Sequence, residues 1–169
     1  MNIDEILSII PSADGILSQY SLSCASCSAS GFETLRDGVL GHGYDEETLN
    51  ALIRDLNNLL TDYHANVKRI GMYITDTALD KLNTFAEEMD KKGWGLSIIR
   101  TKNKELGTYS YSMDFMEHPK KKDYTIPYNP DWKIFVSEKD IDSLKGLLID
   151  FVEGVQGTGF KLINPNDRI

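Results

Sequence analysis

The hydrophobic period of this chain changes near residue 60, and that switch divides it into two modules of different kind. Before it, apolar residues recur at helical spacing. Ile3, Ile6, Leu7 and Ile10 follow Asp4 as a cap and stop at Pro11, and Ile16, Leu17 and Tyr20 continue after Ser12. Ser30 and Glu33 have capping-box spacing ahead of Phe32, Leu35, Val39 and Leu40, which end at Gly41-His42-Gly43. Leu49, Leu52, Ile53, Leu56, Leu59 and Leu60 form the clearest stripe, with Asp45 as cap and Glu46 and Glu47 at the positive end of the helix dipole. This pattern predicts a compact four-helix module over residues 1–60.

Residues 61–72 lose the period and read as a linker. A second module over 73–169 then opens with one amphipathic helix carrying Leu79, Leu82, Phe85, Ala86 and Met89, closed by Lys91-Lys92-Gly93. Short β-rich runs follow at 96–100, 108–115, 132–136, 148–152 and 160–163, separated by Gly, Pro and Asn, with a short helix expected over Ile141, Leu144 and Leu147. The fold class is therefore α+β: a small helical domain followed by a β-rich, sandwich-like domain.

The net charge of −8 is concentrated at one end. Residues 1–60 hold nine Asp or Glu against Arg36 and Arg54, which gives −7, and the rest of the chain is nearly balanced. An acidic module repels phosphate backbones, so nucleic acid is not an expected partner. No apolar run reaches membrane-spanning length. The opening Met1-Asn2-Ile3-Asp4-Glu5 is acidic where a secretory leader would be basic, and the expected location is the cytoplasm.

Cys24 and Cys27 are the two cysteines of the chain, spaced as Cys24-Ala25-Ser26-Cys27 ahead of the third helix. In a reducing compartment such a pair serves redox or metal chemistry more often than it serves as a permanent staple. Backbone N–H groups at a helix start favour the thiolate. Two outcomes stay open: a dithiol–disulfide couple in which Cys24 and Cys27 act in turn, or two ligands to iron or an iron-sulfur cluster. The bland alternative is a pair of small buried core residues. Two thiolates are half of a four-ligand set, so a metal site needs a second chain, His42 or a partner's ligands. His42 also suits a helix end, where a cation meets the negative pole of the dipole. His64 and His118 read as surface residues, and Lys120-Lys121-Lys122 as a solvated loop. Gly154, Gly157 and Gly159 read as a turn between strands, since no Lys-Ser/Thr follows them. No Ser/His/Asp set or carboxylate pair stands out to support an ordinary hydrolase.

The second module resembles the HesB/IscA group of A-type iron-sulfur carriers. The residues that carry the likeness are Ile74-Thr75-Asp76-Thr77-Ala78, Leu96 to Thr101, Tyr111 to Phe115, Leu148 to Val152 and, most specifically, Gly159-Phe160-Lys161-Leu162-Ile163-Asn164-Pro165-Asn166. The resemblance implies a small sandwich-like α+β domain. It also implies three cysteine ligands, one in the loop after the second strand and two in a C-terminal tail. Here the loop from Lys102 to Thr108 has none, Leu106 stands about where the first would fall, and no cysteine follows before Ile169.

The first module resembles the helical redox-disulfide domain associated with hybrid-cluster proteins, through Cys24-Ala25-Ser26-Cys27, Phe32-Glu33-Thr34-Leu35, Gly41-His42-Gly43 and Leu56-Asn57. Together the two resemblances imply an accessory protein of iron-sulfur cluster biogenesis or repair. The expected cofactor is iron or a cluster on Cys24 and Cys27, and the expected partners are assembly proteins or client apo-proteins, with the chain paired as a homodimer. A dithiol redox protein and a non-catalytic adaptor are the alternatives.

Overall fold

The computed structural model describes residues 1–9, 12–22, 33–154 and 157–167. The chain divides into two compact units, Met1–Ala65 and Asn66–Ile169.

The first unit holds α1 (Ile3–Ile9), α2 (Ala13–Gln19), α3 (Leu35–Gly41) and the greater part of α4 (Glu46–Ile70). Asn2, not Asp4, caps α1. Its carboxamide accepts from the Glu5 amide at 2.8 Å while the Glu5 carboxylate accepts from the Asn2 amide at 2.8 Å, a reciprocal capping box. Ser12 precedes α2 without a side-chain cap bond. For α3 the cap is Thr34, whose hydroxyl accepts from the Asp37 amide at 3.1 Å and donates to the Asp37 carboxylate at 2.6 Å. Ser30, Phe32, Ile10 and Pro11, named for the earlier boundaries, lie outside the described residues. Asp45 caps α4 through the Thr48 amide and hydroxyl, both at 2.8 Å. The core gathers Ile3, Ile6, Leu17, Val39, Leu52 and Leu56 from the four helices, whereas Ile53 is turned outward.

α4 does not stop where the leucine stripe ends. It runs through most of the expected linker to Ile70, because Tyr63, Val67 and Ile70 continue a half-buried i, i+4, i+7 line. Gly71, at φ 93°, then breaks the helix, and β1 (Met72–Ile74) begins inside the same stretch.

The second unit continues with α5 (Asp76–Glu88), β2 (Gly95–Lys102), β3 (Tyr109–Met116), β4 (Asp123–Pro127), β5 (Lys133–Ser137), β6 (Leu147–Gly154), β7 (Gly157–Ile163) and a 3-10 turn at Pro165–Asp167. The described strands form two sheets, in the orders β1-β6-β7 and β3-β2-β5-β4. β1 pairs parallel to β6 and β2 parallel to β5, and the remaining pairs are antiparallel. One core joins Leu82 and Ala86 of α5 to Leu96, Ile98, Ile134, Val136, Leu147 and Ile149. Phe85, Phe151 and Phe160 close its edge with edge-to-face rings 5.0–6.3 Å apart. The buried Tyr128 hydroxyl accepts from the Ile74 amide at 2.8 Å and donates to the Ile74 carbonyl at 3.1 Å, fixing the end of β1. This is an α+β architecture with a helical first unit and a β-rich second one.

The helix expected at Ile141–Leu147 is instead a series of turns leading into β6. Gly146, at φ 84°, donates to the Gly71 carbonyl at 2.7 Å, which takes the chain out of helical geometry as Leu147 joins the sheet.

Candidate functional site

Cys24 and Cys27 lie outside the described residues; the segments on either side are described. Before them, the Leu22 amide donates to the Leu17 carbonyl at 2.9 Å and the Leu22 side chain is buried. Tyr20 donates its hydroxyl to Asp55 of α4 at 2.7 Å, and that bond to a carboxylate raises the phenol above its ordinary range. After them, Thr34 bridges to Asn2, and the Ile3 amide donates to the Glu33 carbonyl at 3.3 Å. The described residues on either side, Leu22 and Glu33-Thr34, are thus tied into the helical unit.

His42 sits at the C-cap of α3 and is exposed. The Gly43 amide donates to Leu40 at 3.0 Å and the Tyr44 amide to Val39 at 3.2 Å, with Gly43 at φ 85°. This is the Schellman pattern, which satisfies the last carbonyls of α3 and calls for glycine after the cap. His64 and His118 are exposed.

In the second unit the loop between β2 and β3 is a tight turn. Asn103 accepts at its side chain from the amides of Glu105 (3.0 Å) and Leu106 (3.2 Å), and Gly107 donates to the Asn103 carbonyl at 2.9 Å. Leu106 stands at the tip, 71% exposed, so it is not a core residue there. An alkyl side chain cannot ligate a metal.

Beside this hairpin a polar network joins residues far apart in the chain. Arg100 donates to Asp167 and, at 3.2 Å, to the Tyr111 hydroxyl; Tyr111 donates to Asp167; Asn164 donates to Tyr111 at 2.9 Å and to the Ser143 carbonyl at 2.7 Å. The Arg100 guanidinium lies 3.4 Å from the Tyr109 ring centroid. Its burial works against the charge, but the bonds to Asp167 and Tyr111 outweigh that and hold it above the ordinary arginine range. Burial, reinforced by Asp167, raises the Tyr111 phenol. The network fastens the 164–167 segment to β2 and β3. None of these residues was singled out as a site from sequence; Asn164-Pro165-Asn166 entered there only as part of the stretch that carries the family resemblance.

An apolar cleft of about 150 Å³ opens between α5 and the strands, walled by Phe85, Met89, Met113, Phe115 and Phe160, with Asp114 among its lining residues. Among the described residues no group of three or more His, Cys, Asp or Glu is placed to hold a metal ion. The second unit therefore does not fit the ligand set that its family resemblance implies. No helix among the described residues is long and apolar enough to cross a membrane.

Comparison with known proteins places these 169 residues in a class. No family model matches the chain. The chain is 32% identical over 98 residues to the iron-binding protein IscA of Cronobacter sakazakii, a match that takes in 57% of this chain and 88% of that protein. The same figures hold for the IscA of Salmonella arizonae. Among solved structures, IscA with a [2Fe-2S] cluster is 23% identical with a TM-score of 0.48 over 56% of this chain and 85% of that one. Escherichia coli SufA, described as involved in biosynthesis of iron-sulfur clusters, is 22% identical with a TM-score of 0.46 over 56% of this chain and 81% of that one. The chain belongs to the IscA family.

Proposed function

We propose that this protein serves the biogenesis or repair of iron-sulfur clusters and carries iron or a cluster, as cargo, on Cys24 and Cys27. The observation that carries the reading is the 32% identity across 88% of an iron-binding IscA in a chain whose two thiols both lie outside the likeness drawn at residues 74–166. Membership of the family supplies the role, and the chemistry of the thiols supplies the place. Two thiolates from each of two chains make the four-sulfur set of a cluster, which favours a paired chain. Cluster-assembly proteins and apo-protein clients are the partners this role requires.

The CxxC spacing supports a second reading, dithiol–disulfide exchange, in which one thiolate attacks and the other resolves the mixed disulfide. Anaerobic reconstitution with iron and sulfide separates the two. The first reading gives a visible chromophore that Cys24→Ser abolishes. A colourless protein whose two thiols oxidise and reduce reversibly overturns it in favour of the second.

A further inference from the structure

We propose that the apolar cleft between α5 and strands β2, β3 and β7 is a binding site for a small zwitterion with one aromatic ring, a free aromatic α-amino acid. The proposal goes beyond the cluster reading and stands without it, since it uses neither thiol and no residue of the first unit. The size and the walls of the cleft select the ring. The cleft measures about 150 Å³, and a dry cavity of about that volume lined by Leu, Ile and Phe takes up one benzene molecule. Phe85, Phe115 and Phe160 present aromatic surface to a ring placed there, and the thioethers of Met89 and Met113 adapt to its outline. Met89 is more than half exposed, so the cleft is open to solvent on that side.

The charges beside the cleft select the rest of the ligand. Asp114 is among the lining residues, and Lys91, two residues after Met89, holds its ammonium 6.0 Å from the Phe115 ring centroid and 5.3 Å from that of Trp94. The two rings keep this cation close to the cleft: its side chain is 28% exposed, against 81% for the neighbouring Lys92. Lys91 and Asp114 stand 3.9 Å apart, at the outer limit of an ion pair, and neither has another ion pair among the described residues. A ligand with a carboxylate alone gains Lys91 and is repelled by Asp114. A ligand with an amine alone meets the reverse. An ammonium and a carboxylate on one carbon answer both groups at once. An aromatic α-amino acid carries that pair a methylene away from its ring. A residue within a peptide does not, because its backbone charges are lost to peptide bonds.

The test titrates the full chain, free of iron, with phenylalanine, with phenethylamine, which lacks the carboxylate, and with hydrocinnamate, which lacks the ammonium. Tryptophan fluorescence reads binding, since Trp94 lies beside Lys91 and the Trp132 ring is 5.9 Å from that of Phe115. Phenylalanine is expected to saturate the signal and to bind about three-fold or more tighter than either analogue, the worth of one exposed charge contact. Lys91→Met keeps the alkyl stem over the rings and is expected to bring phenylalanine down to the level of phenethylamine. Asp114→Asn, at a side chain that is 69% exposed, is expected to bring hydrocinnamate up to the level of phenylalanine. Lys92→Met leaves the order of the three ligands unchanged. Circular dichroism checks that each variant folds, and should Lys91→Met fail to fold, the altered order in Asp114→Asn decides alone. A parent signal that phenylalanine does not saturate, equal affinity for the three ligands, or the parent's order retained in Asp114→Asn overturns the proposal.

Discussion

Gly95 begins β2 against the ring of the buried Phe135. A Cβ built there would stand closer to Phe135 ring carbons than atoms can pack, and Phe135 is itself buried. Relief requires the ring or the strand to shift. Gly95→Ala is therefore expected to destabilise the chain by about 1–3 kcal/mol, the usual range for an overpacked core; urea unfolding at equal slope checks it, and an unchanged midpoint refutes the contact. Asp45 gives a pH dependence of known sign. Donation by the Thr48 amide, then by its hydroxyl, holds the carboxyl below the ordinary aspartate range. A depressed carboxylate stabilises the folded chain above its unfolded value of about 3.9 and loses that contribution as pH falls through the lower folded value. The parent should thus lose more stability on acidification below about pH 4 than Asp45→Ser, whose cap does not titrate. Thermal melts at neutral and acid pH compare them, and equal losses would remove Asp45 from the account.

The elements that sequence made legible were those with strong period or clear capping chemistry. The Leu49–Leu60 stripe and Asp45 marked α4, the spacing of Leu79, Leu82 and Ala86 marked α5, and five strands were read from their β-rich runs. What escaped had physical causes. β1 is three residues long, and β4, Asp123–Pro127, carries polar residues and a proline beside a lysine run. Ile141, Leu144 and Leu147 have helical spacing, yet Gly146 adopts a left-handed conformation and ends any helix there. The second half of α4 was hidden because its apolar residues are few and half-buried. Its amides over residues 63–69 should resist hydrogen exchange as a continuous helix does; rapid exchange from Thr61 onward would restore the linker. Of the candidate site, the CxxC was legible because its chemistry is local. The Arg100 network was not, since its bonds span 11, 53, 56 and 67 residues.

At the scale of the whole molecule, the IscA likeness takes in 57% of the chain, while the two thiols belong to a helical unit with its own core. The described residues of the second unit bring no metal-ligand group together, and Leu106 tops the loop where the resemblance implies a cysteine. The family likeness and the two thiols thus lie in different parts of one chain, and the proposed function joins them by placing the iron on Cys24 and Cys27. The most direct test is the iron content of the anaerobically reconstituted parent beside Cys24→Ser and Cys27→Ser. The account predicts cysteine-dependent iron and sulfide in the parent and near-complete loss in both variants, with the helical signal retained. Iron retained in full by either variant would contradict it.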